Sequence, residues 1–147
     1  MTLKLSEGLL RETFTRLRAC GACDRECVCY WSGPIDTPAV VDAVLHPRHT
    51  GHWGFYEVDG TWLNETWIEL ANSRRTIRVQ IHTHAGNAFH SWLDDAFPIV
   101  QTPGLLSLVI PRFAHGPASF EDAYLARLVG QDEWESVDPK VELELSR

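Results

Sequence analysis

The sequence predicts a single domain over residues 1–147, of either the α+β or the α-β-α layered class. Its length of 147 residues is typical of one domain and too short for two well-filled cores. A hydrophobic content of 44% and a charged content of 22% are typical of a globular chain. The spacing of apolar residues changes along the chain between the helical period and the alternation of strands. Helices and strands are therefore mixed in order, as in layered α/β domains.

The first predicted element is a helix over SEGLLRETFTRLRAC, residues 6–20. Ser6 can cap its first turn, because a serine oxygen accepts a hydrogen bond from a free backbone N–H there. The apolar residues recur at roughly helical spacing. They are Leu9, Leu10, Phe14 and Leu17.

Two predicted strands and a second helix follow. ECVCYWSG and AVVDAVLHP are short β-prone segments, and each runs into a proline. After the Asp59-Gly60 turn, apolar residues at i, i+4, i+7 and i+8 predict a helix across TWLNETWIELANSRR. These residues are Leu63, Trp67, Leu70 and Ala71.

The period then changes to two, which predicts a strand with one apolar and one polar face. The apolar face carries Ile77, Val79, Ile81 and Thr83, and the alternating polar positions include His82 and His84. Further along, LLSLVIP predicts a buried strand. DAYLARLVGQDEWESV predicts a hairpin with its turn near Gly130.

Charge and the amino-terminal segment exclude several classes of function. The net charge of -7 and the pI near 5.4 argue against a nucleic-acid partner, because such proteins carry a basic stripe and the arginines here are scattered. MTLKLSEGLLRETF has no long apolar run, so it predicts neither a signal peptide nor a membrane span. We therefore expect a cytoplasmic protein without a membrane partner.

The segment IHTHAGNAFHSWLDD, residues 81–95, combines the side chains of a zinc site. His82 and His84, at i and i+2 of a strand, direct both imidazoles to one side, as two ligands of one ion require. The glycine of the AGNAF loop allows a sharp turn that can bring Asp94 or Asp95 back over the strand end. Three protein ligands leave a fourth position for water, which is typical of a catalytic site.

Hydrolysis by a zinc-bound water also needs a general base and a hydrogen-bond donor to the developing oxyanion. Glu26 is the predicted base, since it lies in the β-prone segment ECVCYWSG and a strand can hold it rigidly beside the metal. Ser91 can donate a hydrogen bond to the oxyanion. It can also cap a short helix over residues 91–95.

These residues occur in the order of a known family motif. They are Glu26, then His82-Thr83-His84, Ser91 and Asp94. This order resembles the JAB/MPN (JAMM) metalloprotease family, whose motif is a distal glutamate followed by H-x-H and S-x-x-D. The resemblance covers most of the chain and implies a cytidine-deaminase-like α-β-α sandwich with a central mixed sheet. It also implies zinc bound by the two histidines and the aspartate, with the glutamate as base.

The segment HTHAGNAFHSWLDDAFPIV is similar to the bacterial branch of this family, which is associated with ubiquitin-like conjugation systems. This similarity implies a zinc-dependent isopeptidase that removes or processes a ubiquitin-like modifier. Activating and conjugating proteins of the same system would be further partners. Two alternatives share the fold: a non-catalytic scaffold, and a processing peptidase for a sulfur-carrier protein. The intact glutamate, histidines and aspartate argue against the scaffold.

The chain departs from the family motif at two positions. The spacer AGNAFH between His84 and Ser91 is one residue shorter than in the family, and Ala85 stands where proline commonly follows H-x-H. S-x-x-D therefore selects Asp94 as the third ligand, whereas the family's distance from the second histidine selects Asp95. We predict Asp94.

Four cysteines lie within ten residues, which is typical of reduced thiols or a metal site rather than a disulfide framework. Cys20-x-x-Cys23 fits one half of a zinc knuckle, whereas Cys27 and Cys29 are expected to pack in the core as small apolar groups. 

Three further predictions concern the surroundings of the metal site. His90 is expected at the surface. Trp92 is the tryptophan expected to line the cleft. The segment HPRHTGHWGFYEV, residues 46–58, is where we expect contacts with the modifier, because it is rich in histidine and aromatic residues.

Overall fold

The computed structural model describes residues 1–91, 94 and 99–147. Its strands are β1 Leu3–Ser6, β2 Val28–Pro34, β3 Ala43–Leu45, β4 His49–Gly51, β5 Tyr56–Val58, β6 Arg75–Thr83, β7 Leu106–Ile110, β8 Tyr124–Gly130, β9 Glu133–Val137 and β10 Leu143–Ser146. Its helices are α1 Glu7–Gly21, α2 Gly60–Asn72 and the single turn α3 Pro139–Glu142, with a 3-10 turn at Arg112–Ala114.

A mixed six-stranded sheet forms the middle layer, in the order β3-β2-β6-β7-β8-β9. Strands β6 and β7 are parallel, and the other neighbours are antiparallel. Helix α1 packs on one face, where Phe14 and Leu17 join the buried cluster of Val79 and Ile81. Helix α2 packs on the other face through Leu70. The predicted α-β-α sandwich with a central mixed sheet is confirmed.

Both predicted helices form where the apolar spacing places them. Ser6 caps α1 by accepting a hydrogen bond from the backbone N–H of Leu9 over 3.0 Å. Asp59 caps α2 in the same way, accepting from the N–H of Trp62. Helix α2 ends at Asn72, before the end of the predicted segment, because Arg75 begins β6.

Strand β6 is buried on both faces, including the face predicted to be polar. Gln80 and His82 are 2% and 0% exposed, and the residues that pack on this face come from α2 and from the segments around Tyr56 and Ile99. Gln80 has partners there: its amide donates to the hydroxyl of Ser107 and its carbonyl accepts from the N–H of Ile99. Both ends of the Gln80 amide are therefore hydrogen-bonded, which fixes its orientation.

Several elements differ from the sequence predictions. Only Ala43–Leu45 of the segment AVVDAVLHP forms a strand. Strand β1 pairs in parallel with β10, and β4 pairs with β5, and neither pair was predicted. The predicted hairpin after β7 is confirmed as β8 and β9. Within the described residues, no helix is long and apolar enough to span a membrane.

Candidate metal centre

Two histidines and one aspartate converge at the end of β6. The Nε2 atoms of His82 and His84 are 3.2 Å apart. The carboxylate of Asp94 bridges both rings, with Oδ1 3.0 Å from Nε2 of His82 and Oδ2 3.2 Å from Nε2 of His84. Ligand atoms around a tetrahedral zinc ion are about 3.3 Å apart when each metal bond is about 2.0–2.1 Å. The donor set and its spacing therefore fit a divalent metal such as zinc.

Burial and hydrogen bonding prepare these side chains to bind a cation. Burial alone would raise the pKa of Asp94, but its hydrogen bonds with His82 and His84 outweigh burial and hold that pKa well below its usual range. Burial lowers the pKa of His82, which favours the neutral imidazole. An ionised carboxylate and a neutral imidazole are the forms that bind metals. Among the described residues, Nδ1 of His82 has no hydrogen-bond partner, so the ring makes its polar contacts through Nε2.

Glu26 lies beside the two histidines and is only 4% exposed. One of its carboxylate oxygens lies within 4.8 Å of a ring nitrogen of both His82 and His84. Burial, and secondly the negative charge of Asp94, raise the pKa of Glu26 to about 8. A carboxyl group with such proton affinity can accept and return a proton near neutral pH.

Ser91 holds the carboxylate of Asp94 in place. Its backbone N–H donates to Oδ2 of Asp94 over 2.8 Å, and its hydroxyl oxygen accepts from the N–H of Asp94 over 3.2 Å. Hydrogen bonds of this kind orient a metal ligand. Asp95, Trp92 and most of the helix predicted over residues 91–95 lie outside the described residues.

An open cleft of about 580 Å³ leads to this centre. Glu26, Ser91 and Asp94 line it on the side of the centre. Residues 54–58, which include Tyr56, form a second wall of the cleft. Leu63 of α2 also lines it. The ring of Tyr56 is 5.5 Å from that of His82. Tyr56 is not among the site residues predicted from the sequence, although it belongs to the aromatic segment 46–58.

Comparison with known proteins identifies the family. No protein-family model matches the chain. The protein named "Probable metalloprotease y4jG" from Sinorhizobium fredii is 30% identical over 146 residues, covering 95% of this chain and 90% of that protein. The chain belongs to the JAB/MPN (JAMM) metalloprotease family. Its membership supports a metal-dependent peptidase, and the His/Glu group described above could hold the metal.

Solved structures show the same fold as this JAMM-family chain. A solution structure of a protein from Desulfitobacterium hafniense has a TM-score of 0.70 and 15% identity, with 99% of this chain and 93% of that chain covered. A crystal structure of a JAB1/MPN domain protein from Archaeoglobus fulgidus has a TM-score of 0.56 and 16% identity, with 99% and 98% covered.

Two sequence predictions around the JAMM motif are corrected. Glu26 precedes β2 instead of lying within it, and the N–H of Glu26 donates to the carbonyl of His52 at 2.8 Å, which fixes its backbone. His90 is half-buried rather than at the surface, and its Nε2 is 2.9 Å from the hydroxyl oxygen of Ser107. The His90 ring centroid is 6.4 Å from that of His82, outside the ligand group.

The pairing of the cysteines in this JAMM-family chain differs from the predicted pairing. Cys27 and Cys29 are buried, as expected, and burial raises the pKa of the Cys29 thiol to about 12. Cys20, however, pairs with Cys27 instead of Cys23: the two form a disulfide with Cα atoms 5.5 Å apart, which corrects the expectation that these thiols are reduced. Cys23 is exposed. The interpretation of Cys20-x-x-Cys23 as one half of a zinc knuckle is therefore wrong.

Proposed function

We propose that this protein is a zinc-dependent isopeptidase that removes or processes a ubiquitin-like modifier. The observation that carries the proposal is the convergence of Glu26, His82, His84 and Asp94 beside an open cleft that Glu26 and Asp94 line. A non-catalytic scaffold of the same fold would have no need for a buried glutamate beside three metal-binding side chains. The same four groups would serve peptide hydrolysis.

Each side chain of the site would have a different role in amide hydrolysis. His82, His84 and Asp94 would hold zinc, which when bound supplies Lewis acidity toward a water molecule and a carbonyl oxygen. Glu26 would take the proton from the attacking water and return it to the departing amine. Ser91 lines the cleft, and because its hydroxyl oxygen accepts from the N–H of Asp94, its O–H could donate to the oxyanion.

The cleft and its rim support a protein substrate with an extended tail. Residues 54–58 form one wall of the cleft, so a narrow peptide could lie along them toward Glu26. Trp53, Phe55 and Phe89 are 65%, 45% and 54% exposed. Large aromatic side chains exposed near a cleft are favoured contacts for a folded partner. This arrangement matches a modifier whose carboxy terminus enters the cleft while its folded body contacts the aromatic residues.

The test is cleavage of two matched substrates by the zinc-loaded protein. One is a ubiquitin-like protein from the same genome joined through its carboxy terminus to the ε-amine of a lysine peptide. The other is the same modifier with a linear peptide extension. We expect cleavage of the isopeptide bond by the wild type and none by Glu26→Gln.

The result also separates the alternatives. Cleavage of the linear extension alone would instead support a processing peptidase, such as one for a sulfur-carrier protein. Tight binding of the modifier without cleavage of either bond, by a fully zinc-loaded chain, would contradict the proposal and favour a scaffold. Glu65→Gln is the matched control, because Glu65 is exposed on α2 and does not line the cleft.

A further inference from the structure

A second group of potential metal ligands lies apart from the JAMM motif. It comprises Cys20, Cys27, His46 and His49, and one ligand atom of each lies within 4.8 Å of those of the other three. The four side chains come from three places: the end of α1, the residue before β2, and the connection from β3 into β4. We propose that these residues bind a structural zinc ion through two thiolates and two imidazoles.

The distances between the donor atoms match those of such a site. Nε2 of His46 lies 3.4 Å from Sγ of Cys27, and Nε2 of His49 lies 3.6 Å from Sγ of Cys20. In a tetrahedral zinc site, sulfur and nitrogen ligands are about 3.5 Å apart, given bonds of about 2.3 and 2.0–2.1 Å. The His46 and His49 rings are tilted by 42° with centroids 5.4 Å apart, so both present a nitrogen to one point without stacking.

The hydrogen bond of His49 fixes the tautomer that a metal needs. Its Nδ1 lies 2.9 Å from the carbonyl oxygen of Pro47. A carbonyl can only accept, so Nδ1 carries the hydrogen and Nε2 keeps a lone pair directed at the thiol cluster. Metal-binding histidines typically donate their second ring N–H to a backbone carbonyl in this way.

The direct contact of the two sulfur atoms allows two chemical states. The structure pairs Cys20 and Cys27 as a disulfide, with Cα atoms 5.5 Å apart. Two thiolates on one zinc ion would be about 3.8 Å apart, given bonds of about 2.3 Å, so the proposed ion binds the reduced pair. A disulfide, however, has no use for an imidazole nitrogen directed at each sulfur. Four protein ligands would close the zinc site completely, which is typical of a structural role.

The bound metal would fix the two backbone segments that position Glu26, namely the residue that follows it and strand β4. Cys27 follows Glu26 directly, and His49 begins β4, the strand whose Gly51 lies against the carbonyl of Glu26. A metal that joins Cys27 to His49 would clamp these two segments together. The inference stands without the proposed isopeptidase activity, because it concerns ligands outside the JAMM motif.

The experiment measures zinc per chain by elemental mass spectrometry after purification under reducing conditions. We expect two zinc ions in the wild type and one in His82→Ala/His84→Ala, which lacks the JAMM ligands. Cys20→Ser and His49→Ala should each retain one. The matched controls Cys23→Ser and His52→Ala alter neighbouring side chains outside the cluster and should retain two.

A spectroscopic measurement keeps the inference testable if Cys20→Ser fails to fold. Cobalt(II) is loaded into His82→Ala/His84→Ala, and thiolate ligands would produce a sulfur-to-cobalt charge-transfer absorption in the near ultraviolet. Retention of one zinc together with this absorption supports the site. A reduced His82→Ala/His84→Ala chain that binds no zinc and shows no such absorption would overturn it. Recovery of a Cys20–Cys27 disulfide from the same reduced preparation, by thiol labelling and intact mass, would also overturn it.

Discussion

The backbone N–H of Cys27 donates a hydrogen bond to the side-chain hydroxyl of Thr83 over 2.9 Å. The N–H of Thr83 donates back to the carbonyl of Cys27 over 3.1 Å. Thr83 lies between the two histidines of H-x-H, and Cys27 follows Glu26 directly. This reciprocal pair therefore sets the spacing between the candidate base and the candidate metal ligands, although neither residue belongs to the JAMM motif.

Thr83→Val tests this connection, because valine keeps the shape of threonine but cannot accept a hydrogen bond. The buried N–H of Cys27 would lose its partner, which costs about 1–3 kcal/mol of the free energy of unfolding. We expect this loss in urea denaturation of the zinc-loaded protein, together with reduced peptidase activity. Thr50→Val, at an exposed position of β4, should stay within about 0.5 kcal/mol of the wild type. Equal stability of the two variants would show that the Cys27–Thr83 hydrogen bond contributes nothing.

Glu26→Gln should separate proton transfer from metal binding. Glutamine preserves the volume of the side chain but cannot accept a proton from water, so turnover should fall about 10²- to 10⁴-fold. The zinc content should stay at the wild-type level, because the ligands His82, His84 and Asp94 are unchanged. Steady-state kinetics and elemental analysis of the same preparation measure both quantities. Near wild-type turnover would remove Glu26 from its assigned role.

Asp94→Asn tests which aspartate is the third ligand. Asparagine removes the negative charge that Asp94 places between His82 and His84, so zinc at this centre should be lost at lower chelator concentrations than in the wild type. The competition is followed with a coloured chelator. Asp95→Asn is the matched variant, and it should release zinc like the wild type. The opposite order of the two variants would assign the ligand to Asp95.

Gly51→Ala tests the close contact between β4 and Glu26. A Cβ atom at Gly51 would lie 2.2 Å from the carbonyl oxygen of Glu26, so one of the two backbone segments must move. Overpacking of this kind costs about 1–3 kcal/mol of stability, and the displaced Glu26 should also lower kcat. Gly54→Ala is the control, since a Cβ there meets nothing within 4 Å. Thermal unfolding and kcat of both variants provide the comparison, and a stable, fully active Gly51→Ala would contradict the contact.

Local patterns in the sequence were sufficient to predict α1, β6 and the JAMM residues. Helical spacing with a serine cap, strand alternation and the H-x-H and S-x-x-D spacings all involve residues a few positions apart. These short spacings nearly determine the geometry, so His82 and His84 lie side by side as expected. Asp94 lies at the same point, and its hydrogen bonds with Ser91 join residues only three positions apart.

Features that depend on distant segments could not be predicted in the same way. Strand β1 pairs with β10 from the opposite end of the chain, and no local pattern marks such a partner. The cluster of Cys20, Cys27, His46 and His49 combines three separate segments that meet only in the tertiary structure. The sequence had suggested Cys20-x-x-Cys23 because that spacing is local, whereas the tertiary fold turns Cys20 toward Cys27.

The exposed aromatic residues beside the cleft provide a test of the proposed substrate. Phe55 is 45% exposed, lines the cleft and stacks on His52 with ring centroids 4.1 Å apart, so its free face is available to a partner. Phe55→Ala should raise KM for a modifier-linked substrate about 5- to 30-fold, as expected for an aromatic residue that contributes about 1–2 kcal/mol to binding. The kcat value should change little, because Phe55 is not among the metal-binding residues. Ile68→Ala, 63% exposed on α2 and outside the cleft, should leave KM unchanged. An equal effect of Phe55→Ala on a short peptide substrate would mean that this residue contacts the tail and not the folded modifier.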